Sequence, residues 1–261
     1  MEFKSVLLPL VLALALGLVW CLGGGSIPVT ATLAPRAVEG SAEPLLSGVH
    51  GTDATTCGPL PPPAGNVVHV YPSQASQLDA LVAAAATGDT ILLHDGTYDL
   101  HGDYLWFETS GVTMRSASGN REAVVIDGHY ETSEIVNVHA SDVTIADLTL
   151  KRAQDHPIHV VPPDDADIAN TLIYNVHIVD PGQQAIKINQ NGAMTHFPDD
   201  GQVACSHIEL TDTGRQFVWQ HNGSCYTGGV DGHRAWGWVI RDNLIEGFWC
   251  EDDLAEHAIH F

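Results

Sequence analysis

A six-residue pattern (apolar, any, polar, any, any, apolar) recurs four times in the second half of the chain. It reads Ile145-Ala-Asp147-Leu-Thr-Leu150, Ile173-Tyr-Asn175-Val-His-Ile178, Cys205-Ser-His207-Ile-Glu-Leu210 and Ile240-Arg-Asp242-Asn-Leu-Ile245. The starts lie 28, 32 and 35 residues apart. A strand, a turn at one polar residue and a second strand, repeated at a period of about 20–50 residues, predicts a solenoid. Asp147, Asn175, His207 and Asp242 are then expected to stack as a ladder at one corner. Asn and Asp tolerate the left-handed backbone there and bond their own neighbours.

Upstream, Val112–Met114, Val124–Ile126, Ile135–Val138 and the run Thr90-Ile-Leu-Leu93 also read as strands, with Gly, Asn and Asp between them. Before these, Leu78, Leu81, Val82 and Ala85 fall on one helical face. They predict a helix over 73–86 that Ser73 or Ser76 can cap. A solenoid exposes core and unpaired backbone at its ends, so this helix is expected to close the first coil. No second helix is expected. Toward Phe261 the chain stops inside the strand-like Ala258-Ile-His-Phe261, and further coils are expected beyond it.

Composition then places the domain. Residues 23–66 are rich in Gly, Pro, Ala, Ser and Thr and end in Pro59-Leu-Pro-Pro-Pro63, the composition of a linker. The apolar run Val6–Leu22 follows a single Lys and reads as an export signal. Cys21 lies in a lipoprotein-like box, and cleavage after Ala31 also suits small-x-small. The expected division is 1–31 signal or anchor, 32–66 linker and 67–261 solenoid. Each route leaves the domain secreted or at the cell surface, with membrane attachment only through the N-terminus. Cys57, Cys205, Cys225 and Cys250 contain no C-x-x-C pair and suit disulfides in an exported chain. Cys205 with Cys225 would close one excursion from the solenoid, but all three pairings stay open.

Charge excludes one class of partner. Lys and Arg number 10 against 32 Asp and Glu, a net charge of −22, which is incompatible with neutralising nucleic acid phosphates. A polyanionic sugar would also be repelled unless a divalent cation or a local basic spot intervened. The acidic clusters at Asp164, Asp165 and Asp167, at Asp199 and Asp200, and at Glu251, Asp252 and Asp253 read as solvated loops. Their hard oxygens also suit Ca²⁺.

The helix, then TGDTILLHDGTYDL, VVIDG and SDVTIADLTL, resembles the opening of right-handed parallel β-helix proteins of the pectin-lyase-like kind. Within that group it most resembles the chondroitinase and alginate-lyase branch. The resemblance covers about residues 67–261. It implies an all-β fold, a right-handed parallel β-helix, acting on extracellular polysaccharide, with a lyase as the first reading. The same superfamily includes hydrolases, epimerases and esterases, so function has to come from a site.

One column of side chains offers a site. Thirteen residues after Ile145 and Ile173 come Pro157-Ile-His-Val160 and Ala185-Ile-Lys-Ile188, and Ile135-Val-Asn-Val138 and Ala258-Ile-His-Phe261 have the same form. With the apolar residues pointing inward, Asn137, His159, Lys187 and His260 point outward, about 4.8 Å apart from coil to coil. The rung between Lys187 and His260 has two registers, one placing Trp219 in the column and one placing Asp231 there. Asp231 is preferred, with Gly228-Gly229 read as the return turn of an excursion over 205–228.

The resemblance implies a Lys or Arg as base, and Lys187 is the only lysine after Lys151. Asp231 and His233 join it as candidate catalytic residues, and His159, Arg234 and His260 as candidate substrate-binding residues. Asp231 beside Lys187 could equally form a plain salt bridge, or hold Ca²⁺. His156 and His257 are expected near the column. A hydrolase would need a second carboxylate, and Glu246, Glu251 or Glu256 could supply it only by loop placement. Trp219, Trp236, Trp238 and Trp249 suit either sugar stacking or coil packing. The alternative to an enzyme is a non-catalytic solenoid that binds cell-surface glycans.

Overall fold

The computed structural model describes residues 57–251 and 253–261. The expected signal and most of the expected linker lie outside them. The chain winds as a right-handed parallel β-helix with three parallel sheets of seven, six and six strands. The strand Val67–Val70 opens the first sheet alone, and from Thr90 onward each coil gives one strand to each sheet. In the fourth coil these are Leu172–Tyr174, His177–Val179 and Gln184–Asn189.

Register follows the hydrophobic pattern, because slipping a strand by one residue would expose its whole apolar set. In the first sheet Ile91, Met114, Ile145, Ile173, Val203 and Ile240 are successive partners. In the second they are Tyr98, Ile126, Leu150, Ile178, Ile208 and Ile245. The third stacks Leu105, Val136, Ile158, Ile186, Val230 and Ile259. Apart from Ile259, which is exposed on the last strand, these three columns form one continuous core, in which each fully buried aliphatic side chain is worth roughly 1.5–3 kcal/mol.

The corner ladder exists with one change. Asp147, Asn175, Cys205 and Asp242 occupy the left-handed corner, with φ of 57°, 50°, 58° and 56°. Asn175 Nδ2 donates to Asp147 Oδ1 at 2.8 Å, and Arg115 lies 2.9 Å from Asp147 Oδ2. His207 is not a corner residue: it lies in a strand, paired with His177. The repeat in that coil starts at Val203, two residues earlier than the pattern suggests. Cys205 holds the corner through a disulfide to Cys57 instead of an Asx hydrogen bond.

The N-terminal helix forms in two parts, a 3-10 turn Pro72–Gln77 and an α-helix Leu78–Ala83, with Leu78 and Val82 buried in the core. Neither serine caps it; Gln74 Oε1 instead accepts from the Tyr71 backbone N–H at 3.1 Å. Residues 57–66 lie against the first sheet. Leu60 packs beside Tyr174, whose hydroxyl donates to the Gly58 carbonyl at 2.5 Å, and Arg115 donates to the Pro61 carbonyl at 2.8 Å.

Four further points concern the excursion. It contains a second helix, Asp212–Asn222, closed by Gly223 at φ 67°. Only Gly214 and Val218 of that helix are buried, too narrow an apolar stripe to stand out in the sequence. The segment 207–209 is a regular strand of the second sheet, so the excursion is shorter than 205–228. Gly228-Gly229 is no turn: both residues lie in the strand Gly228–His233. The second disulfide joins Cys225 to Cys250 rather than to Cys205. It ties the end of the helical excursion to the next coil.

Candidate functional site

The third sheet presents the expected column in the expected register. Trp106, Asn137, His159, Lys187, Asp231 and His260 are successive partners. Trp219 lies elsewhere, exposed on the excursion helix. The inward Val136, Ile158, Ile186 and Val230 force the residues between them outward.

Asp231 is the centre of the group, and it is only 2% exposed. Its Oδ2 accepts from Lys187 Nζ and lies 3.1 Å from His233 Nε2. Its Oδ1 lies 2.8 Å from His260 Nδ1 and 3.5 Å from His257 Nε2. Burial alone would raise the Asp231 carboxyl. The hydrogen bonds from Lys187 and His260 and the nearby charges of Lys187 and His233 outweigh it and hold the group down at about 2. An ionised carboxylate is thus fixed beneath one ammonium and three imidazoles. Tyr226, Glu256 and His257 complete a cleft of about 320 Å³ with Lys187, Asp231, His233 and His260.

His159 extends the row one coil further. Its Nδ1 lies 2.7 Å from Glu134 Oε1 and its Nε2 2.6 Å from Asn189 Oδ1. Burial would raise Glu134, but the hydrogen bond and charge of His159 hold it below its ordinary value. His156 lies behind the row, its Nδ1 2.9 Å from the Gln184 carbonyl, and burial pushes it down to about 4. Asn137 is fully buried, and neither amide atom has a partner among the described residues.

Arg234 does not line the cleft: it follows the Asp231 strand at a left-handed corner (φ 52°) and is exposed. Arg215 covers the Trp249 ring at 4.1 Å. That ring and Trp219 wall a separate cavity of about 470 Å³. Trp238 packs into the coils, donating from Nε1 to the Pro198 carbonyl at 2.8 Å.

The residues around Asp231 do not fit Ca²⁺. That ion takes six to eight oxygen ligands, whereas both oxygens of Asp231 face nitrogen donors. In the acidic loops, Asp164 accepts from Asn191 at 3.2 Å, Asp167 from the Phe197 N–H at 2.8 Å and Asp199 from the Trp236 N–H at 2.9 Å. These bonds brace the loops.

One cleft residue was not legible in the sequence, and a second was legible only as a carboxylate dependent on loop placement. Tyr226 comes from the excursion, which obeys no repeat. Glu256 reaches the cleft after the antiparallel pair Trp249–Cys250 and Asp253–Leu254 and accepts from Gln184 Nε2 at 2.9 Å.

No family model matches the chain, and no curated protein matches it. Among solved structures it is similar to the crystal structure of pectate lyase Pel9A, with a TM-score of 0.51 and 18% identity. The match covers 67% of this chain and 46% of that one, so the chain spans about half the length of the structure it matches. At this identity the likeness shows the fold, a parallel β-helix.

Proposed function

We propose that this protein is an exported polysaccharide lyase that cleaves uronic acid chains across the third sheet. The observation that carries the reading is the group in one cleft: an ammonium, a buried carboxylate and titratable imidazoles on adjacent rungs. β-Elimination needs a cation at the uronate carboxylate, a base for the adjacent proton, and a proton donor for the departing glycosidic oxygen. The C–H and C–O bonds break, the C=C bond forms, and the proton passes to the leaving oxygen. Lys187, held beside ionised Asp231, serves as the cation. His233 in its neutral form donates Nε2–H to Asp231 and acts as base through the Nδ1 lone pair. His260 and His159 offer hydrogen bonds to sugar hydroxyls, and exposed Arg234 attracts carboxylates along the polymer. The two disulfides support an oxidising, extracytoplasmic location.

The test is ultraviolet absorbance of the purified protein with alginate, chondroitin and pectate, since elimination creates an absorbing unsaturated uronate. Absorbance should rise on one of them, and Lys187→Ala and His233→Ala should each lower kcat/KM by about 10²-fold or more. Full activity in both variants would remove these residues from the mechanism. New reducing ends without absorbance would sink the lyase in favour of hydrolysis, for which Asp231 and Glu256 share the cleft. A second reading, a non-catalytic glycan-binding solenoid, draws support from the internal satisfaction of Asp231 by Lys187, His233 and His260. It would be favoured by glycan binding with neither product.

A further inference from the structure

The outer face of the second sheet carries a cluster that elimination does not use. His177 and His207 are register partners one coil apart, with ring centroids 4.5 Å apart and planes within 6°. Glu209 lies two residues beyond His207, with Oε1 3.0 Å from His177 Nε2. One donor atom from each of the three lies within 4.8 Å of the others. The other nitrogen of His177, Nδ1, lies 2.9 Å from Glu122 Oε2, and His207 Nε2 lies 2.9 Å from Glu246 Oε1. Arg121 occupies the remaining oxygen of Glu122, Oε1, at 3.0 Å.

Metal-ligating histidines are oriented in this way, with the second ring nitrogen held by a carboxylate. The described residues contain four clusters with converging ligand atoms, and three of them are already engaged. In the Asp231 cluster Lys187 places a positive charge on the carboxylate. In the Asp127 cluster Lys151 and Arg152 do the same. In the Cys57 cluster both sulfurs are in a disulfide. Around His177, His207 and Glu209 no Lys or Arg among the described residues contacts a ligand atom, since Arg121 reaches only Glu122.

We propose that His177, His207 and Glu209 form a site for a late first-row divalent cation such as Zn²⁺. Two imidazoles and one carboxylate suit that class, whereas Ca²⁺ prefers oxygens alone. Bond lengths of about 2.0–2.2 Å place tetrahedral ligand atoms roughly 3.3 Å apart. His177 and Glu209 already meet that spacing, and His207 reaches it by turning its ring. The cation replaces the proton shared by His177 and Glu209. It binds the fourth coil to the fifth, while Glu246 of the sixth orients His207. This inference is independent of the lyase reading, because none of its residues lines the cleft.

The experiment is calorimetric titration of the metal-stripped protein with Zn²⁺, alongside thermal unfolding with and without the metal. The wild type and His260→Ala, which alters the cleft cluster, should bind one Zn²⁺ and unfold at a higher temperature with it. His207→Ala and Glu209→Gln should bind at least tenfold more weakly and lose that rise. Far-UV circular dichroism confirms that each variant is folded, and Glu209→Gln carries the test if His207→Ala is not. Absence of binding to the wild type, undiminished binding in the folded variants, or loss in His260→Ala alone would overturn the proposal.

Discussion

His156 shows what burial does to one ring. It sits behind the column with its Nδ1 on a backbone carbonyl, and its pKa falls from 6.5 to about 4. The folded value lies below the unfolded one, so between them the unfolded chain binds more protons. Stability therefore falls as pH drops from about 6.5 toward 4, by about 3 kcal/mol in all at 1.36 kcal/mol per unit. Burial also lowers His257 and His139, which act with the same sign. Urea midpoints at pH 7 and pH 4.5 should differ clearly in the wild type and less in His156→Gln. Equal differences would assign the pH dependence elsewhere. At this scale the sequence revealed which side chains leave the core, because alternation is strict within a strand. It did not reveal what covers them: Asn137 points out of the core as expected, yet is fully buried.

Between residue and fold, the rungs depend on close approach. Gly229 faces the last strand so tightly that an added methyl group would overlap the Ala258 carbonyl oxygen and press on Ile245. Its backbone is ordinary strand, so crowding rather than φ demands the glycine. Gly229→Ala should cost about 1–3 kcal/mol through overpacking, lowering the thermal midpoint by roughly 2–4 °C per kcal/mol for a domain of this size. An unchanged midpoint would show that the last coil shifts freely to make room. The paired glycines resembled a turn signal because Gly-Gly is usually one; only the position of the next coil reveals the other use. The excursion helix is hidden in the sequence for a related reason. Its buried stripe is one valine and one glycine, and a disulfide rather than an apolar face secures its end. The corner ladder was readable for Asp147, Asn175 and Asp242 but misread by two residues at Cys205. There a covalent bond replaces the polar side chain on which the pattern relied.

For the whole molecule, the solenoid was legible from spacing, since three apolar stacks leave little freedom of register, and the parallel β-helix from the family resemblance. The chemistry was less legible, because a coil brings together residues tens of positions apart. Charge acts at this scale too. A protein of net charge −22 repels a polyuronate before any cleft residue is reached. The Debye length shrinks from about 30 Å at 0.01 M salt to about 8 Å at 0.15 M. On such a substrate kcat/KM should therefore rise over that interval, opposite to the trend for a basic enzyme. Initial rates at subsaturating polymer would measure it. A fall with salt would mean that the local field of Lys187 and Arg234 governs the encounter.

The bond between Cys57 and Cys205 has a mechanical meaning. It closes a hoop over a sequence separation of 148, running from the segment before the first strand to the fifth coil. A stack of repeats ordinarily yields rung by rung from its end, because each repeat holds only its neighbours. Here tension arriving through the residues before Cys57 bypasses the first four coils and is delivered to the fifth at Cys205. That coil also carries Asp231, so a pull on the chain before Cys57 would reach the rung with the buried carboxylate while the earlier coils bear no load.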